Sequence, residues 1–381
     1  MNVLMICTEK LPVPNIRGGA IQTYICGVAG FLAGKHNLTI LGRDDPDLPQ
    51  DETSGGIRYV RVPSGSTLDI YAKGVLEFVG LYGSQYDIIH IFNRPRLVMP
   101  VRALVPHARI ILSMHNDMFN PEKIEPGEAI AAISQTERII TISNYIGDEI
   151  AYYYPEAEGR TKTIYSGVDL SRFAPWFQSQ AAQQDRAALR AEHGLSDKKI
   201  ILFVGRLSRN KGPHVLVKAM NQIHHSDAVL VVVGGAWYSD HTVSDYIAYV
   251  RALALKSPIP VLTTGYVDAH QVHRWFTAAD IFVCTSIWQE PLARVHYEAM
   301  AAGLPFLTTA RGGNPEIVTS SNGLLVTDPE NPSEYAEKLN QLLSHPELCR
   351  RMGEHGRRLA EERFTWQRVA EDIMSVWERR A

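Results

Sequence analysis

Cysteine is scarce and scattered: Cys7, Cys26, Cys284 and Cys349 are the four in 381 residues, and no two form a Cys-x-x-Cys pair. Cys7 and Cys284 fall inside apolar strand patterns and read as inert core thiols, a usage that fits a reducing cytoplasm. Basic excess is also missing. A formal net charge of −3 argues against a general nucleic-acid binder. No apolar run approaches the ~20 residues needed to span a bilayer. The opening stretch MNVLMIC has no basic n-region and runs straight into a polar loop, so it reads as a first strand and not a signal peptide. No metal site is legible. The histidines lack ligand spacing, and no Asp-x-Asp is placed to hold a cation against a diphosphate.

What is present is an ordinary globular composition, 45% hydrophobic and 21% charged. Single cores stop growing near ~250–300 residues, so the length favours two domains. Short β and α signals alternate from the start: Asn2–Cys7, a helix through Leu32, then NLTIL, IRYVRV, a helix over Leu68–Tyr82, DIIHIF, RIILSMH and RIITIS. Such alternation predicts a parallel sheet with helices on both faces. Composition then turns polar and Gln/Ala-rich before a second series opens with KIILFVG, continues through AVLVVVGG, VLTTG and DIFVCTS, and ends in helices. The expected organisation is an N-terminal domain over 1–170, a linker with a short helix over 171–197, and a second domain over 198–363. A last helix follows over 364–381, with Trp366, Val369, Ile373 and Trp377 on one stripe.

The most informative stretch is QEPLARVHYEAMAAG, Gln289–Gly303, followed closely by TTARGGNPE. Pro291 is expected at the first helical position, where a missing N–H costs nothing, and Gly303 at the helix end. On that reading Glu298 lies just over two turns beyond Glu290, about 12 Å along one axis. Earlier in the chain VGRLSRNKG puts Arg206 and Lys211 in a loop after a strand, where open α/β sheets bind ligands. Arginine presents a planar fork to phosphate and lysine a point charge, which suits a leaving diphosphate. Taken singly, each feature has an ordinary reading: a solvated helix face, a solvated basic loop, a glycine turn.

Together they resemble the donor-site signature of the retaining glycosyltransferases of family 4, which have the GT-B fold. The resemblance covers nearly the whole chain. It implies an α/β architecture of two Rossmann-like domains facing across a cleft, with a C-terminal helix crossing back to the first. It implies transfer of a hexose from a nucleoside diphosphate sugar, UDP-glucose or a relative, to a hydroxyl acceptor, without a metal or other cofactor. It implies retention of the anomeric configuration by same-face attack, with the leaving phosphate taking the acceptor proton. Arg206 and Lys211 would then clasp the diphosphate, Glu290 the donor sugar and Glu298 the ribose. The backbone after Pro291, at Leu292 and Ala293, would meet sugar and phosphate. His115, at a strand end in SMHND, matches a family histidine near the sugar, and Gly18-Gly19 a glycine pair that approaches phosphate or acceptor. Asn93 is a weaker candidate for the acceptor side. Two departures are Ser166, where many members have asparagine, and Leu292-Ala293, which replaces a common Phe-Gly beside the hexose. TEKLPVPNIRGGAIQTY with ARGGNPEIV is similar, more narrowly, to spore-coat-associated glycosyltransferases of endospore-forming bacteria. That implies cell-surface or spore-coat glycan synthesis in the cytoplasm. The acceptor is not readable from the sequence, which leaves open a glycan, a lipid-linked or a small-molecule acceptor, and peripheral membrane contact is compatible with it. The alternative is a coat or scaffold protein that kept the fold without activity, because fold does not imply function.

Overall fold

Strands without a polar face set the architecture: Ala228–Val233, AVLVVV, is buried along its whole length, as a strand covered on both sides must be. The computed structural model describes residues 1–65, 68–237 and 242–378. It divides into two units, Met1–Gly167 with the chain from Trp366 onward, and Val168–Thr365.

The first unit begins with β1 (Asn2–Ile6), α1 (Ala20–Ala33), β2 (Asn37–Arg43), β3 (Asp51–Ser54) and β4 (Ile57–Val62). It continues through α2 (Leu68–Tyr82), β5 (Ile88–Phe92), α3 (Val98–Leu104), β6 (Arg109–Met114), α4 (Pro126–Gln135), β7 (Arg138–Thr141), α5 (Asn144–Tyr153) and β8 (Thr161–Thr163). The sheet order is β3-β4-β2-β1-β5-β6-β7-β8, and every pair is parallel except β3 with β4. Sequence patterning misses β3 because DETS has no apolar alternation. This edge strand is held to β4 by cross-strand charge pairs, Arg58–Asp51 and Arg61–Glu52, both at 2.7 Å.

The second unit holds α6 (Gln180–Glu192), β9 (Lys199–Val204), α7 (Pro213–Ala219), β10 (Ala228–Val233), α8 (Asp245–Leu255), β11 (Val261–Gly265) and α9 (Val272–Ala278). After these come β12 (Ile281–Val283), α10 (Val295–Ala301), β13 (Phe306–Thr309), β14 (Gly323–Val326), α11 (Pro332–Ser344) and α12 (Pro346–Arg363). Its all-parallel sheet runs β11-β10-β9-β12-β13-β14. The stretch expected to be a linker, 171–197, is instead part of this unit. Ser179 caps α6, and Arg186 and Arg190, one helical turn apart, both bind Asp280 at 2.5 and 2.6 Å and reach carbonyls at the end of α9. A Gln/Ala-rich composition concealed this because two arginines, not an apolar face, anchor the helix.

The last helix, α13 (Trp366–Glu378), packs on the first unit beside α1. Val369, Ile373 and Trp377 of its stripe are buried with Val28, Leu32 and Ile88, each burial contributing about 1.5–3 kcal/mol. Residues 379–381 of the expected helix lie outside the described residues. Among the described residues, no helix is long and apolar enough to cross a membrane.

Candidate active site

In the second unit β9 sits between β10 and β12, so connections leave its carboxyl end in opposite directions. Open α/β sheets bind ligands in that crevice. The loop after β9 carries Arg206 and Lys211, and the loop after β12 carries Ser286, Trp288 and Glu290. The two loops are joined through their backbones. Ile287 N donates to Asn210 O at 2.8 Å, and Thr285 Oγ1 donates to Lys211 O at 2.7 Å. Gly212 has φ 66°, and a Cβ there would lie 2.3 Å from Thr285 O, so only glycine permits this approach. The result is an ion pair between Lys211 Nζ and Glu290 Oε2 at 2.5 Å.

Glu290 is 6% exposed. Ser286 Oγ and Trp288 Nε1 also donate to Oε2, at 2.7 and 2.9 Å, and Oε1 keeps its acceptor capacity. Burial by itself would raise the carboxyl pKa; the Lys211 charge and these hydrogen bonds outweigh it and hold Glu290 below its ordinary value. Cys284, whose Sγ lies 3.7 Å from Ser286 Oγ, is also buried. Burial raises its thiol, but His296 nearby brings it below the usual range, which departs from the inert core thiol expected. Cys7 does behave as one, pushed up to about 12 by burial.

One expectation fails. The helix starts at Val295, not Pro291, so Glu290 and Glu298 do not share a helical axis. Residues 290–294 run irregularly ahead of the helix, and the Glu290 carbonyl has a partner outside it. Gly313 N donates to Glu290 O at 2.8 Å, taking the acceptor that a helix would offer to Arg294. Gly312, at φ 54°, makes this contact feasible: a Cβ there would lie 2.0 Å from Glu290 O. Gly312→Ala is therefore expected to cost about 1–3 kcal/mol in backbone strain alone and to displace the Glu290 turn. Thermal unfolding and donor turnover should both fall, and an unchanged melting temperature would refute the close approach.

The other donor-side candidates occupy the same unit. Arg206 places its guanidinium over the Trp237 indole, 4.7 Å from the ring centroid. Leu292 and Ala293 are buried, and Ala293 N donates to Asn314 Oδ1 at 3.3 Å. Glu298, in the first turn of α10, meets Arg294 at 3.3 Å.

The first unit repeats the arrangement at its own switch point, between β1 and β5. Glu9, past the end of β1, and Arg94, past the end of β5, form a buried two-bond pair at 2.6 and 2.7 Å. Sequence reading singled out neither: they are 85 residues apart, and Glu9 enters only as part of TEKLPVPNIRGGAIQTY, with no role of its own. Arg94 also donates to Asn93 O at 2.6 Å. Asn93 adopts φ 55°, and its Oδ1 accepts from the amides of His115 and Asn116 at 3.0 and 3.1 Å. Asn93 thus braces the strand end that carries His115. His115 is 8% exposed, and its ring stands edge-on to Tyr24, 4.7 Å between centroids. Gly18 and Gly19 lead into α1 at φ 85° and 100°. The φ of 100° at Gly19 strains any L side chain, so the backbone conformation favours glycine there, and a Cβ would also displace the Gln22 amide 2.3 Å away. An Asp-x-Asp does occur, Asp45-Pro46-Asp47, which sequence reading overlooked; Arg17 binds both carboxylates. Among the described residues no group of three or more His, Cys, Asp or Glu side chains is arranged to hold a metal.

Comparison with known proteins follows the same division. Residues 185–359 match the family model described as glycosyl transferases group 1, and residues 18–172 match glycosyltransferase family 4. The chain is 44% identical to spore coat protein SA of Bacillus subtilis (strain 168), covering 100% of both chains. It is 40% identical to the putative glycosyltransferase YtcC of the same strain, over 99% of this chain and 92% of that one. The Anabaena Alr3699/HepE crystal structure in complex with UDP-glucose superposes with a TM-score of 0.79 at 20% identity, covering 99% of each chain. With family models matching in both units and relatives similar from end to end, the chain belongs to the group 1/family 4 glycosyltransferases of the GT-B fold.

Proposed function

We propose that this transferase is a retaining, metal-independent enzyme that moves a hexose from a UDP-sugar, UDP-glucose or a close relative, to a hydroxyl acceptor. The observation that carries this reading is the Lys211–Glu290 pair at the second unit's switch point. An ammonium group has three donors, and one of them meets Glu290. The others remain for oxygens of the departing diphosphate, assisted by Arg206. Glu290 Oε1 accepts from a sugar hydroxyl, and the carboxylate stabilises positive charge growing at the anomeric carbon. In the reaction the bond from that carbon to the β-phosphate oxygen breaks, its electron pair going to the phosphate. The acceptor oxygen bonds on the same face, and its proton passes to the departing phosphate. His115, Gly18 and Gly19 belong to the acceptor and sugar side of this proposal. Neutralisation by side chains supplies what a cation would otherwise supply. The UDP-glucose in the Alr3699/HepE complex supports the donor class, and the coat association of spore coat protein SA supports a surface or coat glycan as acceptor.

A panel of nucleotide-sugars tests the donor. UDP-glucose should raise the melting temperature and be hydrolysed slowly in excess EDTA, releasing the sugar with its original anomeric configuration by NMR. Binding of none of the panel, or activity only with added Mg²⁺ or Mn²⁺, would overturn the reading. Glu298→Ala should weaken binding of free UDP by tenfold or more, since two ribose hydrogen bonds to a carboxylate are each worth about 1.5–3 kcal/mol. Isothermal titration should show Glu298→Gln less affected; wild-type affinity in both would remove Glu298 from the ribose.

A further inference from the structure

We propose that His296 is a positioning residue for the donor-sugar turn, fastening the Ala293 carbonyl to β13 and so setting the direction of the amides after Pro291. His296 is fully buried, and both its ring nitrogens are engaged. Nδ1 lies 2.8 Å from Ala293 O, and Nε2 lies 2.7 Å from Thr308 Oγ1 on β13. A carbonyl oxygen only accepts, so Nδ1 carries a proton and donates to it. The Ala293 residue is therefore held on both sides, its N–H by Asn314 and its C=O by His296. Because the peptide bond is planar and trans, a carbonyl turned inward toward His296 sends the Arg294 N–H the opposite way. Asn314 and Thr308 are themselves fully buried, and Thr309 Oγ1 donates to Ser286 O at 2.8 Å, beside the Ser286 hydroxyl that meets Glu290. The imidazole thus lies in the layer directly under the turn that bears Glu290, and an apolar side chain at 296 would leave Ala293 O and Thr308 Oγ1 without this partner.

This inference rests on the donor-site reading above, and its test separates the two. His296→Leu and Thr308→Val are compared with the wild type by hydrogen exchange of the ligand-free protein, by titration with free UDP, and by UDP-glucose hydrolysis. His296→Leu is expected to speed exchange of the Ala293 amide tenfold or more, with exchange in the β9 and β10 strands unchanged. UDP-glucose kcat/KM should fall at least tenfold while the Kd for UDP, which has no sugar, stays within twofold. Thr308→Val, which removes one bond and keeps the side-chain shape, should shift the same quantities by a smaller factor. It decides the matter if His296→Leu fails to fold. Unchanged exchange at Ala293, or a loss shared equally by UDP and UDP-glucose, would make His296 a core residue only. If the wild type hydrolyses no nucleotide-sugar, the proposed function falls, while exchange at Ala293 still decides whether His296 holds the turn.

Discussion

Lys211→Met is expected to lower turnover about 100- to 1,000-fold and to cost about 3–5 kcal/mol of stability at neutral pH. Lys211 is not a freely solvated loop side chain, as its sequence context implies. Its side chain is 19% exposed and its ammonium neutralises a carboxylate whose side chain is 8% exposed. Removing it leaves a buried charge with only two neutral donors, Ser286 and Trp288. The sign of the pH dependence follows from Glu290, whose folded pKa is depressed below 4.5. Such a group contributes stability that is present above the ordinary carboxyl value and lost as pH falls through the folded one. In Lys211→Met burial is left to push the carboxyl up instead, so the deficit against wild type should narrow as pH falls through the variant's raised value toward the depressed wild-type one. Lys211→Met with Glu290→Gln should recover much of the stability and none of the activity. Denaturant unfolding across pH measures all of this. Equal stability of Lys211→Met and wild type at pH 7 would mean the ion pair does not hold the loops together.

Glu290→Ala is expected to lower kcat about 100- to 1,000-fold with a smaller change in KM, the signature of an interaction that strengthens in the transition state. On the proposed reading the carboxylate stands where the sugar loses its phosphate, and free UDP reaches only the other end of the site. UDP affinity should therefore stay within about threefold, under ~0.7 kcal/mol. Glu290→Gln keeps the shape and loses the charge. It should resemble Glu290→Ala in kcat if charge matters, and wild type if hydrogen bonding to a sugar hydroxyl suffices. A large loss of UDP affinity in Glu290→Ala with kcat intact would reverse the direction of the donor along the turn.

Much of the fold was legible from local pattern. The strand IRYVRV, Ile57–Val62, and the helix Leu68–Tyr82 have the bounds read from the sequence. Where the reading failed, the stabilising contacts were polar and distant. Strand β3 is held by two charge pairs, and α6 by arginines on Asp280. The start of α10 is displaced because a glycine 23 residues later takes the Glu290 carbonyl. Local periodicity carries no information about such partners.

The sequence alone therefore determined the alternation of strand and helix, the family resemblance, and the residue types at the candidate donor site: two carboxylates, two cations and a glycine pair. These depend on side-chain chemistry and spacing within one loop or one helix. Tertiary structure decided which of them meet. Lys211 and Glu290 are 79 residues apart, and Glu9 and Arg94 are 85 apart. Each pair forms because a parallel sheet reverses its winding at one point and sets the carboxyl ends of two non-consecutive strands side by side. That adjacency belongs to the strand order, which no local stretch of sequence contains.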